Sequence, residues 1–183
     1  MAKSKRMTAP EATPPEKTLK RILLITAIDG WSIIVLASLG VLLTFILGDW
    51  VGSCVGLLVL AAGVMEIRGR RRLTQRDASG MQQMVRAQLF LLAVILVYCA
   101  SRLGSFDADT ALASLTPDME AMLKEAGLAR ADILPIVRTA FIATYGLVAF
   151  LSLLFQGGLI LYYRRKTRLV TEALTAPPQS PLA

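Results

Sequence analysis

Two carboxylates stand in apolar surroundings, Asp29 within ITAIDGW and Glu66 within VMEIR. A charge placed inside a membrane-length apolar run is costly, so such a residue is a candidate for proton or ion handling. Both map to the same end of adjacent apolar runs, level with Arg86 and Gln88, and the four form a candidate polar cluster. Two chemistries fit it. One is an interfacial network of ion pairs and hydrogen bonds that joins helices, and the other is a cation or proton site. Gln156, Thr44, Thr139, Thr144 and Tyr145 could line a polar path. Scattered Ser, Thr and Gln in helices more often bond their own carbonyls or a neighbouring helix.

Other chemistries are excluded by residue type. The chain has no histidine, which removes the commonest general base, zinc ligand and membrane-haem ligand. Cys54 and Cys99 lie in separate apolar runs without a CxxC or metal-ligand spacing. They read as small packed residues, with a disulfide as the alternative. No nucleophile–base pair is visible. The residues therefore imply no metal, no cofactor and no enzymatic activity.

The stretch MEIRGRRRLTQRD carries Arg68, Arg70, Arg71, Arg72 and Arg76 directly after an apolar run, and Arg164, Arg165 and Lys166 follow another. Clustered cations can neutralise nucleic-acid phosphates. No aromatic residue is interleaved with them, and each cluster abuts an apolar run, so no nucleic-acid partner is expected. The physical reading is a set of topology anchors in contact with anionic lipid headgroups.

These residues need elements to position them, and the composition says which. A hydrophobic share of 55% exceeds the roughly 45–50% of ordinary globular chains. Four apolar runs predict helices over about 22–47, 51–67, 84–103 and 133–163, of membrane-spanning length, and the first, at about 39 Å, exceeds the roughly 30 Å hydrocarbon core and must tilt or protrude. The third has only 12 fully apolar residues, Leu89 to Ala100, so Arg86, Gln88 and Arg102 must snorkel or find partners. Gly48-Asp49-Trp50 predicts a tight turn, and Trp31 and Trp50 suit the two interfacial belts. Within the acidic loop 104–132, Thr116-Pro117-Asp118 is a helix start, and Met119, Met122, Leu123 and Ala126 share one face up to Gly127. This predicts a short amphipathic helix over the outer mouth of the bundle. Asp132 is placed to cap the last long helix, and residues 1–18 and 168–183 read as disordered polar tails flanking a 19–167 membrane domain.

Gly52 and Gly56 form a GxxxG with Gly63 seven residues on. Such a face packs a helix within the monomer or makes a homodimer. With four spans, 16 of the 20 Lys and Arg fall on the side of the N-terminus. The positive-inside rule then places both termini in the cytoplasm, and the Ala-, Leu- and Arg-rich composition suits a bacterial inner membrane.

The fold class expected is all-α, an integral membrane four-helix transmembrane bundle with a short amphipathic helix in its outer loop. The function expected is that of a non-enzymatic structural or accessory subunit, assembling with itself or with another membrane component. A small transporter or channel subunit with a proton- or ion-linked cluster is the alternative.

Overall fold

The computed structural model describes residues 14–107, 116–125, 127 and 130–176. Among them there is no strand. The elements are α1 (Pro14–Ile46), α2 (Trp50–Thr74), α3 (Ser79–Gly104), α4 (Pro117–Glu125) and α5 (Arg130–Thr175). Four helices, Pro14–Ile46, Trp50–Thr74, Ser79–Gly104 and Asp132–Thr175, are long and apolar enough to cross a membrane. The tails 1–13 and 177–183 and the loop segment 108–115 lie outside the described residues.

Every long helix runs past the end that apolar composition predicts. α1 begins at Pro14 and not near residue 22, because Pro is tolerated in a first helical turn and Leu19 and Ile22 extend a buried stripe. α2 continues to Thr74, so Arg68 to Arg72 lie on helix and not in a loop. Arginine is a good helix former, and Gly69 and Leu73 prolong the stripe of Ala62, Gly63 and Glu66. α3 starts at Ser79, where Gly80, Met81, Met84, Ala87 and Gln88 are buried at helical spacing. The expected long polar connection shrinks to residues 75–78. α5 has 46 residues and reaches Thr175, so the C-terminal tail is helical through that residue. Its N-terminus also comes earlier than predicted, which leaves Asp132 in the first turn instead of at the cap. At 1.5 Å per residue α5 is about 69 Å long, beyond the roughly 40–45 Å of a whole bilayer.

The chain divides into two compact units, residues 1–90 with 159–183 and residues 91–158. In the first, α1 and α2 form a hairpin through the predicted turn. Gly48 has φ 73°, its N–H donates to the Phe45 carbonyl at 3.1 Å, and the Asp49 N–H donates to the Thr44 carbonyl at 2.8 Å. This is the left-handed helix ending that glycine favours. Asp49 then caps α2 by accepting from the Gly52 N–H at 2.9 Å. The small-residue face of α2 packs on α1: a Cβ on Gly56 would lie 2.6 Å from Val41 Cγ2, and one on Gly63 2.9 Å from Ile34 Cγ1. That face is occupied within the monomer.

A second close approach joins α2 to α3. A Cβ on Gly69 would meet Met84 Cγ at 2.7 Å, and one on Gly80 would meet the Leu73 backbone nitrogen at 3.0 Å. Around it lies a core of Leu19, Ile22, Leu73, Met81, Met84, Tyr163, Val170, Ala173 and Leu174, drawn from α1, α2, α3 and the last turns of α5. The turn over this core is closed by Arg76, whose φ of 63° is unusual for a residue with a side chain.

In the second unit, the α3 and α5 segments meet through aromatic rings. Tyr98 packs on Tyr145 at 6.1 Å, Tyr145 on Phe141 at 4.6 Å and Phe141 on Phe106 at 5.0 Å. α4 forms where predicted, with the Met119 N–H donating to Thr116 Oγ1 at 3.4 Å, and Met119 and Met122 are exposed on it.

Candidate functional site

The first unit places polar groups from four helices in one buried position. The α1 stripe Leu19, Ile22, Thr26 and Gly30 faces inward, with Asp29 beside it and half-buried. Gly30 permits the approach of α2, since a Cβ there would lie 2.7 Å from Ile67 Cδ1, next to Glu66. Glu66 is 1% exposed, in the α2 stripe one turn before Gly69. Gln88 is equally buried, one turn after Met84 on α3. Tyr163 on α5, in register with Val170, is fully buried.

The hydrogen bonds define the arrangement. Gln88 Nε2 donates to Asp29 Oδ2 at 2.7 Å and to Glu66 Oε2 at 2.8 Å, so one amide bridges both carboxyl groups. The Tyr163 hydroxyl donates to Glu66 Oε1 at 3.2 Å and stands 3.4 Å from Thr26 Oγ1. Thr26 in turn donates to the Ile22 carbonyl at 2.8 Å. Asp29 and Glu66 are also close enough to interact directly. Gln88 Oε1 is buried without a partner among the described residues.

The sequence groups Asp29, Glu66, Arg86 and Gln88, and the structure brings three of them together. Arg86 is exposed. It precedes Gln88 by two residues, about 200° around a helix, so the pair cannot share a face. Its place is taken by Tyr163 and Thr26, neither of which composition singles out. The available signal is the buried stripe itself, because Tyr163 and Val170 are two turns apart and Thr26 lies one turn after Ile22.

The basic residues ring the core of this unit. Arg68, Arg71, Arg72, Arg164 and Arg165 are exposed, and Lys166 is half-buried. Two further arginines bond main-chain carbonyls: Arg70 Nε donates to Leu23, inside α1, at 3.1 Å, and Arg76 Nη1 to Ala176, just past the end of α5, at 3.1 Å. In the turn, Asp77 accepts from the Ser79 hydroxyl at 2.6 Å and from its N–H at 2.9 Å. These bonds hold the Asp77 carboxyl below the usual carboxylate range.

Of the remaining polar candidates the three threonines bond locally, whereas Gln156 Oε1 is buried without a partner among the described residues. Thr44 bonds the Gly40 carbonyl and stands 3.0 Å from Ser53 Oγ, Thr139 bonds the Pro135 carbonyl and Thr144 the Ala140 carbonyl. Cys54 and Cys99 are both free thiols. Among the described residues no group of three or more His, Cys, Asp or Glu could hold a metal ion.

What the fold and site define is an all-helical protein with four membrane-length helices and a pair of carboxyl groups, Glu66 buried and Asp29 half-buried. No family model, curated protein or solved structure matches the chain.

Proposed function

We propose that the chain is an integral protein of a bacterial inner membrane, crossing it four times with both termini in the cytoplasm. Its role is that of a non-enzymatic accessory subunit that assembles with itself or with another membrane component. The observation that carries the orientation is the shared core of Leu19, Leu73, Met81 and Val170, which gathers the start of α1, the α2–α3 turn and the end of α5 at one place. The three basic segments therefore belong to a single end of the first unit, as a positive-inside arrangement requires. Exposed Arg68, Arg71, Arg72, Arg164 and Arg165 meet anionic headgroups there, each worth about 1 kcal/mol.

The accessory role is supported by what the residues lack, namely histidine, a nucleophile–base pair and a metal-ligand set. A topology reporter fused after Ala183 should report cytoplasm, and one inserted between Gly48 and Trp50 should report the opposite side. Reporters on opposite sides after Ala183 and within residues 75–78 would overturn the four-span arrangement. The mass of the purified protein in mild detergent tests assembly, and a lone monomer with no associated protein would overturn that part. A small transporter or channel subunit is the second reading, favoured by the buried Asp29, Glu66, Gln88 and Tyr163 group.

A further inference from the structure

We propose that Asp29 and Glu66, bridged by Gln88 and backed by Tyr163, form a proton-binding site in which one proton is shared within the carboxyl pair. The site rests on the fold of the first unit and not on the proposed assembly.

Three observations carry it. Among the described residues the pair's hydrogen-bond partners are neutral, a glutamine amide and a tyrosine hydroxyl. Among the described residues the elements packed around Glu66 bring no compensating cation: α1 offers Asp29 and Thr26, α3 offers Gln88 and α5 offers Tyr163. On α2 itself, Arg70 is turned to the Leu23 carbonyl. Two adjacent carboxylates in such a place cannot both remain ionised without cost, and one added proton removes the repulsion. The third observation is Gln88 Oε1, an acceptor with no donor in a residue that is 1% exposed.

The step balances simply. A proton from solvent bonds to a carboxylate oxygen, and the charge of the pair falls from two negatives to one. The new O–H donates to the other carboxylate, while Gln88 Nε2 keeps donating to both groups. Asp29 is half-buried and is the entry residue, while Glu66 is the enclosed one. A metal cation fits less well, because the group that faces both carboxyls is the donor Nε2 and not an oxygen.

The test is infrared difference spectroscopy of the full chain in lipid vesicles across a pH series. The expected result is a protonated-carboxyl carbonyl band that titrates apart from the exposed carboxylates. It should be lost in Glu66→Gln or Asp29→Asn and shifted in Tyr163→Phe, which removes one donor from Glu66. Helicity by circular dichroism shows whether each variant folds, and if Glu66→Gln does not, the half-buried Asp29→Asn decides. No separately titrating band in the wild type overturns the proposal. So does a band that survives both carboxyl substitutions. A shift on exchanging sodium for choline at fixed pH would replace the proton with a cation and overturn it equally.

Discussion

Residues 1–90 with 159–183 and residues 91–158 use the same apolar alphabet, but the side-chain core gathers in the first. The first unit buries Leu19, Ile22, Leu73, Met81, Met84 and Tyr163 in a side-chain core. The second leaves Ile142, Leu147, Phe150, Leu154 and Phe155 exposed, the last of them 70%, as the first does away from its core at Leu36, Leu43, Ile46 and Leu57. In water such a face would drive aggregation, whereas in hydrocarbon nothing is gained by burying it, because lipid tails are as apolar as leucine. A side-chain core is needed where helices leave the lipid. Under the proposed topology, the end with the core and the arginines is the one that faces water.

The largest effect that can break this comparison is a cavity. Leu73 is fully buried in the core, so Leu73→Ala should cost about 2–5 kcal/mol of unfolding free energy. Leu154 is 56% exposed, and Leu154→Ala should cost less than about 1 kcal/mol. Both are read from denaturation of the purified protein in the same detergent. Equal losses would mean that the two units are packed alike.

Glycines give the next contrast. A Cβ on Gly80 meets the backbone of Leu73, which cannot move aside, so Gly80→Ala should destabilise by about 1–3 kcal/mol through overpacking. Gly146 has nothing within 4 Å of the same position. Gly146→Ala should be neutral or stabilise by up to about 1 kcal/mol, the difference in helix propensity. A neutral Gly80→Ala would show that α2 and α3 are not in close contact at the turn.

How much of this was legible depends on what marks a residue as buried. Four long apolar helices, the Gly48-Asp49 turn and the α1–α2 glycine face are written as long apolar runs, a turn pair and a GxxxG. The helix extensions are not, because in Pro14 to Arg21, Arg68 to Thr74 and Lys166 to Thr175 the buried positions are single residues among charges. Their signal is helical spacing, Leu19 to Ile22, Gly69 to Leu73 and Val170 to Leu174, and mean apolarity dilutes it. The site was half legible for the same reason. Asp29, Glu66 and Gln88 stand out as polar residues in apolar runs, and Arg86 matches them in depth but faces away. Tyr163 is one of two adjacent tyrosines, and only the phase of the α5 stripe separates it from Tyr162.

If the basic end is solvated like a soluble protein, its strained turn should obey soluble-protein rules. Arg76 adopts a left-handed φ of 63° that costs a residue with a Cβ about 1–2 kcal/mol. Arg76→Gly should therefore stabilise by about 1 kcal/mol, less the exposed bond to the Ala176 carbonyl. Gly48 holds the same conformation at the α1–α2 turn, and Gly48→Ala should destabilise by about the same amount. A destabilised Arg76→Gly variant would mean that the carbonyl bond outweighs the strain.

The smallest effect tests the solvation of that end directly. The two bonds from Ser79 favour the ionised form of Asp77 and lower its pKa from 3.8 in the folded chain. A group with a depressed folded value stabilises above its unfolded pKa, so its contribution is complete at neutral pH and fades as pH falls below 3.8 through the lowered value. Asp77 is fully exposed, so the effect is small and screened by salt. Between neutral pH and about pH 3, the wild type should lose slightly more stability than Asp77→Asn, whose amide oxygen still accepts from Ser79 but does not titrate. The gap should close with added salt. A difference that grows with salt, or one already present at neutral pH with no further change on acidification, would place Asp77 in surroundings other than water and move the proposed bilayer boundary past the α2–α3 turn.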